Sequence, residues 1–121
     1  MLILRDCMSS PVISVPAEAT VEAACKVMAE KNITSVFIQG QEDYLGIFTT
    51  TDLVKQVIAP GLDPKTTSVL SVATTPIVTI DQHLTVEEAR EKMLRHRIKR
   101  MGVTEGKKVV GVVSMKDIVR L

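Results

Sequence analysis

Gly46-Ile47-Phe48-Thr49-Thr50-Thr51-Asp52-Leu53 returns 65 positions later as Gly111-Val112-Val113-Ser114-Met115-Lys116-Asp117-Ile118. In each copy an apolar run ends at a hydroxyl residue, and an acid follows three residues on, the signature of a strand turning into a capped helix. Working outward at the same offset, Pro11-Val12-Ile13-Ser14-Val15 falls on Pro76-Ile77-Val78-Thr79-Ile80, and Thr20-Val21-Glu22 on Thr85-Val86-Glu87. Ala24 falls on Ala89, Met28 on Met93 and Ile33 on Ile98, with no gap. The chain is a tandem repeat, divided at the Pro60-Gly61-Leu62-Asp63-Pro64 break into residues 1–60 and 61–121. Two such units side by side are expected to enclose a cleft, and function is expected there.

Each repeat reads as β-α-β-β-α. In the first, Val12–Val15 is a strand ended by Pro16, and Thr20 caps a helix through Lys31 with Val21, Ala24, Val27 and Met28 on one face. Val36–Ile38 and Leu45–Phe48 form a hairpin around the polar Gln39–Asp43 loop, and a helix over Thr50–Ile58 carries Leu53, Val54, Val57 and Ile58. The second repeat places strands over Ile77–Ile80, Met101–Thr104 and Val109–Val113. Its helices run from Thr85 to His96 and from Met115 on. Thr85-Val86-Glu87-Glu88 reads as a capping box in which the Thr oxygen and the Glu carboxylate satisfy free amides. The fold class is therefore α/β, of the α+β sandwich type.

The 121 residues suffice for one compact domain, whereas a repeat of about 60 residues is marginal alone. Hydrophobic content of 45% and mixed charge fit a soluble globular protein and argue against disorder. The net charge is +1 but unevenly spread: residues 1–60 carry 4 Lys/Arg against 7 Asp/Glu, residues 61–121 carry 11 against 7. The second repeat is the expected host for an anion. No apolar run reaches the roughly 20 residues of a membrane span, and Met1–Asp6 is too short for a signal peptide. Cys7 and Cys25 have no Cys-x-x-Cys spacing and read as reduced, mostly buried side chains, so a cytoplasmic location is expected.

The Gly-x-x-Thr/Ser-x-x-Asp corner supports two readings. Thr49–Asp52 and Ser114–Asp117 fit a helix cap. The same geometry leaves a carboxylate with spare lone pairs that can accept both hydroxyls of a ribose. The hydroxyls of Thr49 and Ser114, with nearby amides, reach ligand hydroxyls or phosphate. Gly46 and Gly111 admit a close approach by another chain segment or a base.

The doubled pattern with Gly-x-x-Thr/Ser-x-x-Asp-Leu/Ile resembles a pair of cystathionine β-synthase (CBS) domains, a Bateman module, from about Cys7 to Leu121. The resemblance implies a pseudo-twofold pair of repeats whose clefts take AMP, ADP, ATP or S-adenosylmethionine, with Mg²⁺ entering only alongside a polyphosphate. It implies a homodimer in a four-repeat disc and an effector protein as the output. Asp117 and Asp52 resemble the ribose-binding acids, with Ser114 and Thr49 beside them. Ser10, Pro11, Val12 and Val36, and Thr75, Pro76, Ile77 and Met101, correspond to the adenine pocket. Lys99 and Arg100 resemble the phosphate contacts of the nucleotide-sensing subunit of AMP-activated protein kinase, and Lys116 adds charge. Thr34 and Ser35, their counterparts, carry none. The family usually has Pro-Val where this chain has Phe37-Ile38 and Gly102-Val103. The Asp117 corner is thus expected to be the better nucleotide site.

Two other classes stand beside this reading: a structural dimerisation module without ligand, and nucleic-acid binding through the basic repeat. Single-strand binders need aromatic platforms, and Phe37, Tyr44 and Phe48 all lie in strands of the acidic repeat. No nucleophile with a base, metal cluster or phosphate-cradling glycine loop points to an enzyme. His83 and His96 read as surface residues, Met28 and Met93 as core, and Arg95 and Arg97 as a solvated basic face at a helix end.

Overall fold

Residues 2–120 are described by a computed structural model, and they form two compact bodies. One is Ile13–Ile77; the other joins the chain up to Val12 with everything from Val78 on.

In the first body, strand β1 (Ser14–Pro16) leads to helix α1 (Val21–Lys31), then β2 (Ser35–Gln39) and β3 (Tyr44–Thr49). Helix α1 starts where the Thr20 hydroxyl accepts the Ala23 amide at 3.1 Å. It ends at Asn32, in the left-handed conformation, whose N–H returns to the last turn. The helix carries the chain between two parallel strands, β1 and β2, a connection that needs a crossover. The hairpin then pairs β2 antiparallel to β3, in the order β1-β2-β3. Val21, Ala24 and Met28 of α1 pack with Val15, Val36, Ile38 and Phe48 of the sheet, which is the core of this body.

The expected helix over Thr50–Ile58 is a three-residue helix α2 (Thr50–Asp52) that opens into a π-helical stretch, Leu53–Ile58. Its wider turn is marked by the Ala59 amide donating to Val54 five residues back at 2.9 Å. Wider turns rotate side chains out of the 3.6-residue period. Only Val57 of the expected apolar set is fully buried, while Val54 and Ile58 remain 59% and 56% exposed. A short helix α3 (Val69–Val72) follows, over residues of the second repeat to which the sequence pattern assigns no element.

The second body repeats the plan. It contains β4 (Thr79–Asp81), α4 (Val86–His96), β5 (Arg100–Glu105), β6 (Lys108–Ser114) and α5 (Met115–Val119), in the sheet order β4-β5-β6. Gly106, with φ 62°, supplies the left-handed turn residue of its hairpin. At the start of α4 the Thr85 hydroxyl accepts the Glu88 amide at 3.1 Å as expected. The Glu88 carboxylate, however, takes the Thr85 hydroxyl at 3.2 Å and not a free amide. Thr85 is also where Ile3 pairs with this body as an antiparallel bridge.

The division by packing differs from the division by sequence. Leu4, in a 3₁₀ turn over Leu4–Asp6, is fully buried among Ile80, Ala89, Met93, Met101, Val103 and Val113. Its amide donates to Leu84 at 3.0 Å. Val69, at the same place in the next repeat, is fully buried in the core of the other body, and its amide donates to Ala19 at 2.9 Å. Each body is thus completed by the opening segment of the other repeat. The strands β1 and β4 begin two residues later than expected, because residues 12–13 and 77–78 carry the chain from one body to the other.

Candidate functional site

The two hydroxyl–acid corners are both built as reciprocal caps. In the first body Thr49 ends β3 and caps α2. Its hydroxyl accepts the Asp52 amide at 3.2 Å, while Asp52 Oδ2 accepts the Thr49 amide at 3.0 Å and the Thr49 hydroxyl at 3.1 Å. In the second body Ser114 ends β6 and caps α5, with the Asp117 amide donating to its hydroxyl at 3.1 Å and Asp117 Oδ2 accepting its amide at 3.0 Å. Such a cap contributes about 1 kcal/mol to local stability. The capping reading therefore holds at both sites, and it leaves carboxylate oxygens over.

A chain segment stands against each corner. Thr74 pairs with Ile47 on the outer edge of β3, and Ser9 pairs with Val112 on the outer edge of β6. The approach is so close that a Cβ on Gly46 would meet Thr74 O at 2.8 Å and Thr75 Cγ2 at 2.5 Å. A Cβ on Gly111 would meet Met8 Sδ at 2.6 Å. Of the two roles expected for these glycines, admitting a chain segment is the one seen. The segment paired with β3 continues into Thr75, Pro76 and Ile77, and that paired with β6 into Ser10, Pro11 and Val12.

The body that holds Asp117 also brings in the cations. Arg100 sits opposite Ser114 in the β5–β6 register, and the Lys99 carbonyl accepts the Met115 amide at 2.8 Å. Lys116 lies within α5 itself and is exposed, as is Lys99. At the Asp52 corner these places belong to Ser35, opposite Thr49, and Thr34, whose carbonyl accepts the Thr50 amide at 3.1 Å. Met101 and Val36, expected in the pocket wall, are core side chains at 1% and 0% exposure. In register they lie opposite Phe48 (Val36) and Val113 (Met101), the residues just before Thr49 and Ser114. Ser10, Pro11, Thr75 and Pro76 are exposed, and Val12 and Ile77 half-buried.

Cys7 and Cys25 are free and half-buried. Burial, followed by the carboxylates of Asp117 and Asp6, pushes the Cys7 thiol up, and burial alone raises Cys25. Thiols shifted upward carry less thiolate near neutral pH and are weaker nucleophiles. Among the described residues no group of three or more His, Cys, Asp and Glu is placed to hold a metal, and no helix is long and apolar enough to cross a membrane. His83 and His96 are exposed, as read from the sequence, and Met28 and Met93 are buried. The partner residues Thr74 and Ser9 were missed. The signal was available, since they are hydroxyl residues at the same offset just upstream of each Pro.

The repeated sheet–helix plan with its paired corners matches the CBS domain over residues 4–59 and 69–121. The chain belongs to the CBS domain family. Both matched stretches start at the exchanged segments, at Leu4 and Val69. Hypoxic response protein 1 of Mycobacterium tuberculosis is 33% identical over 99% of this chain and 85% of its own length. A hexameric CBS-CP12 protein from bloom-forming cyanobacteria superposes with a TM-score of 0.91 at 34% identity. That match covers 98% of this chain and 66% of the cyanobacterial one. A structure of Hypoxic Response Protein I with two coordinated zinc ions has a TM-score of 0.82 at 31% identity, covering 98% and 97%. CBS pairs are in general regulatory, non-catalytic modules that commonly bind ligands.

Proposed function

We propose that this CBS pair is a non-enzymatic cytoplasmic sensor that binds an adenosine-type ligand (AMP, ADP, ATP or S-adenosylmethionine) at its hydroxyl–acid corners. Its ligand state passes to a partner protein. The observation that carries this reading is the asymmetry of the carboxylates. Among the described residues Asp117 accepts a single hydrogen bond, from the Ser114 amide, so lone pairs remain for a ribose diol. The Lys99–Arg100 segment and Lys116 belong to the same corner, and charge-assisted bonds to phosphate are the strong kind. Asp52 is engaged on both oxygens and has no cation at the matching positions. The Asp117 corner is the primary site, with Ser114 and Asp117 toward the ribose, Lys99, Arg100 and Lys116 toward phosphate, and Ser10, Pro11 and Val12 toward the base. Self-association into a homodimer is part of the reading, and the exposed Val54, Ile58 and Val119 offer apolar surface for it.

Calorimetry with the four ligands tests the assignment. Asp117→Ala is expected to weaken the tightest of them by about tenfold or more, the loss of a hydrogen bond to a charged group, and Asp52→Ala to change it little. Lys99→Ala with Arg100→Ala should weaken AMP much more than adenosine. An unchanged affinity in Asp117→Ala overturns the site. A chain that binds none of the four yet remains dimeric is a structural module, and a salt-dependent shift with RNA would turn the basic repeat into a nucleic-acid surface.

A further inference from the structure

Thr74 and Ser9 occupy the same place in the two repeats and dock in the same way. Thr74 exchanges two backbone hydrogen bonds with Ile47, at 2.9 and 3.0 Å, and Ser9 exchanges two with Val112, at 2.9 and 3.0 Å. Their side chains diverge. Thr74 Oγ1 donates to Asp52 Oδ1 at 3.2 Å and lies 3.4 Å from Oδ2. Ser9 makes no such bond to Asp117 among the described residues. With the Thr49 amide and hydroxyl already on Oδ2, Asp52 has protein donors on both oxygens.

A hydroxyl on a carboxylate is the contact that a ribose would make. We infer that Thr74 is a built-in stand-in for a ligand hydroxyl, which holds Asp52 and sets the order in which the two corners fill. This inference rests on the reading of Asp52 and Asp117 as ribose-binding acids. Its physical basis is an exchange. A hydrogen bond contributes only the difference between what is made and what is given up. At Asp117 an incoming diol displaces water. At Asp52 it displaces a hydroxyl already positioned by two backbone bonds and by the close seat against Gly46, and a tethered group competes at high effective concentration. Thr74 is thus a specificity-determining residue acting through Asp52, and the Asp117 corner takes ligand first.

The test is a titration of AMP into the native chain, Thr74→Val and Thr74→Ser, followed by calorimetry and by amide NMR shifts around Thr49 and Ser114. The native chain is expected to show a tight step at Ser114 and a weak one at Thr49. Thr74→Val, which keeps the shape and removes the donor, should tighten the weak step by about tenfold and leave the tight one unchanged. Thr74→Ser, which keeps the hydroxyl, should behave as native. The gain should vanish with 2′,3′-dideoxyadenosine monophosphate, which lacks the diol; a purely structural effect of the substitution would persist with it. An unaltered weak step in Thr74→Val, with the tight step intact, overturns the inference and spares the reading of Asp117. Absence of binding at both corners in all three proteins, by AMP and equally by ADP, ATP and S-adenosylmethionine, overturns the reading itself and the inference with it.

Discussion

The corner at Asp52 and the corner at Asp117 are two castings of one design. Both keep the cap that turns a strand into a helix, both keep the glycine that seats a passing segment, and both take that segment from the other repeat. They differ in everything the backbone does not need. One has Thr74 on its acid and no cation at the positions facing the cap. The other has a less engaged acid beside Lys99, Arg100 and Lys116. The comparison separates what is repeated at the 65-residue offset (the cap, the glycine and the docked segment) from what is not: the Thr74 bond to Asp52 and the cations of the second body.

The comparison can be broken most severely at the exchanged segments. Leu4→Ala removes a fully buried side chain from the core of the second body and is expected to cost about 3 kcal/mol in urea unfolding. Val69→Ala, its counterpart, should cost about 2 kcal/mol, since fewer atoms leave the core. A loss below about 1 kcal/mol for Leu4→Ala would show that the opening segment does not complete that body. The seats of the segments should respond unequally. Gly46→Ala drives a methyl against a backbone oxygen, whereas Gly111→Ala mainly meets the flexible end of Met8. The expected losses are about 2 and about 1 kcal/mol, read as shifts of the denaturant midpoint. Equal losses would contradict the rigid docking of Thr74–Thr75.

The finest difference lies at the helix ends. Asn32 and Arg97 both take φ 55° after α1 and α4, a conformation Asn tolerates better than Arg. Arg97→Asn should therefore stabilise the chain by about 0.5 kcal/mol and Asn32→Arg destabilise it by a similar amount, measured side by side in thermal unfolding. A destabilising Arg97→Asn would mean that the arginine side chain makes a contact worth more than the backbone it strains.

Much of this was open to reading in one dimension. The offset of the repeats, the hairpins, the face of α1 with Val21, Ala24 and Met28, and both caps follow from spacing and side-chain type, because helices and strands bury one face at a fixed period and caps act across three residues. The π-helical turn after Asp52 was not readable, because a wider turn obeys no period that the apolar residues announce.

What the sequence determined by itself is local: two copies of β-α-β-β-α, each with a hydroxyl and an acid at the end of its last strand. What only the tertiary structure decided is which copy completes which. Leu4 lies in the core around Met93, Val69 in the core around Met28, and Thr74 on Asp52, across 22 residues of chain. Contacts of that range are chosen when a whole body packs, and each of these lies within one body. The periodicity of a segment records which face it buries and not whose core receives it.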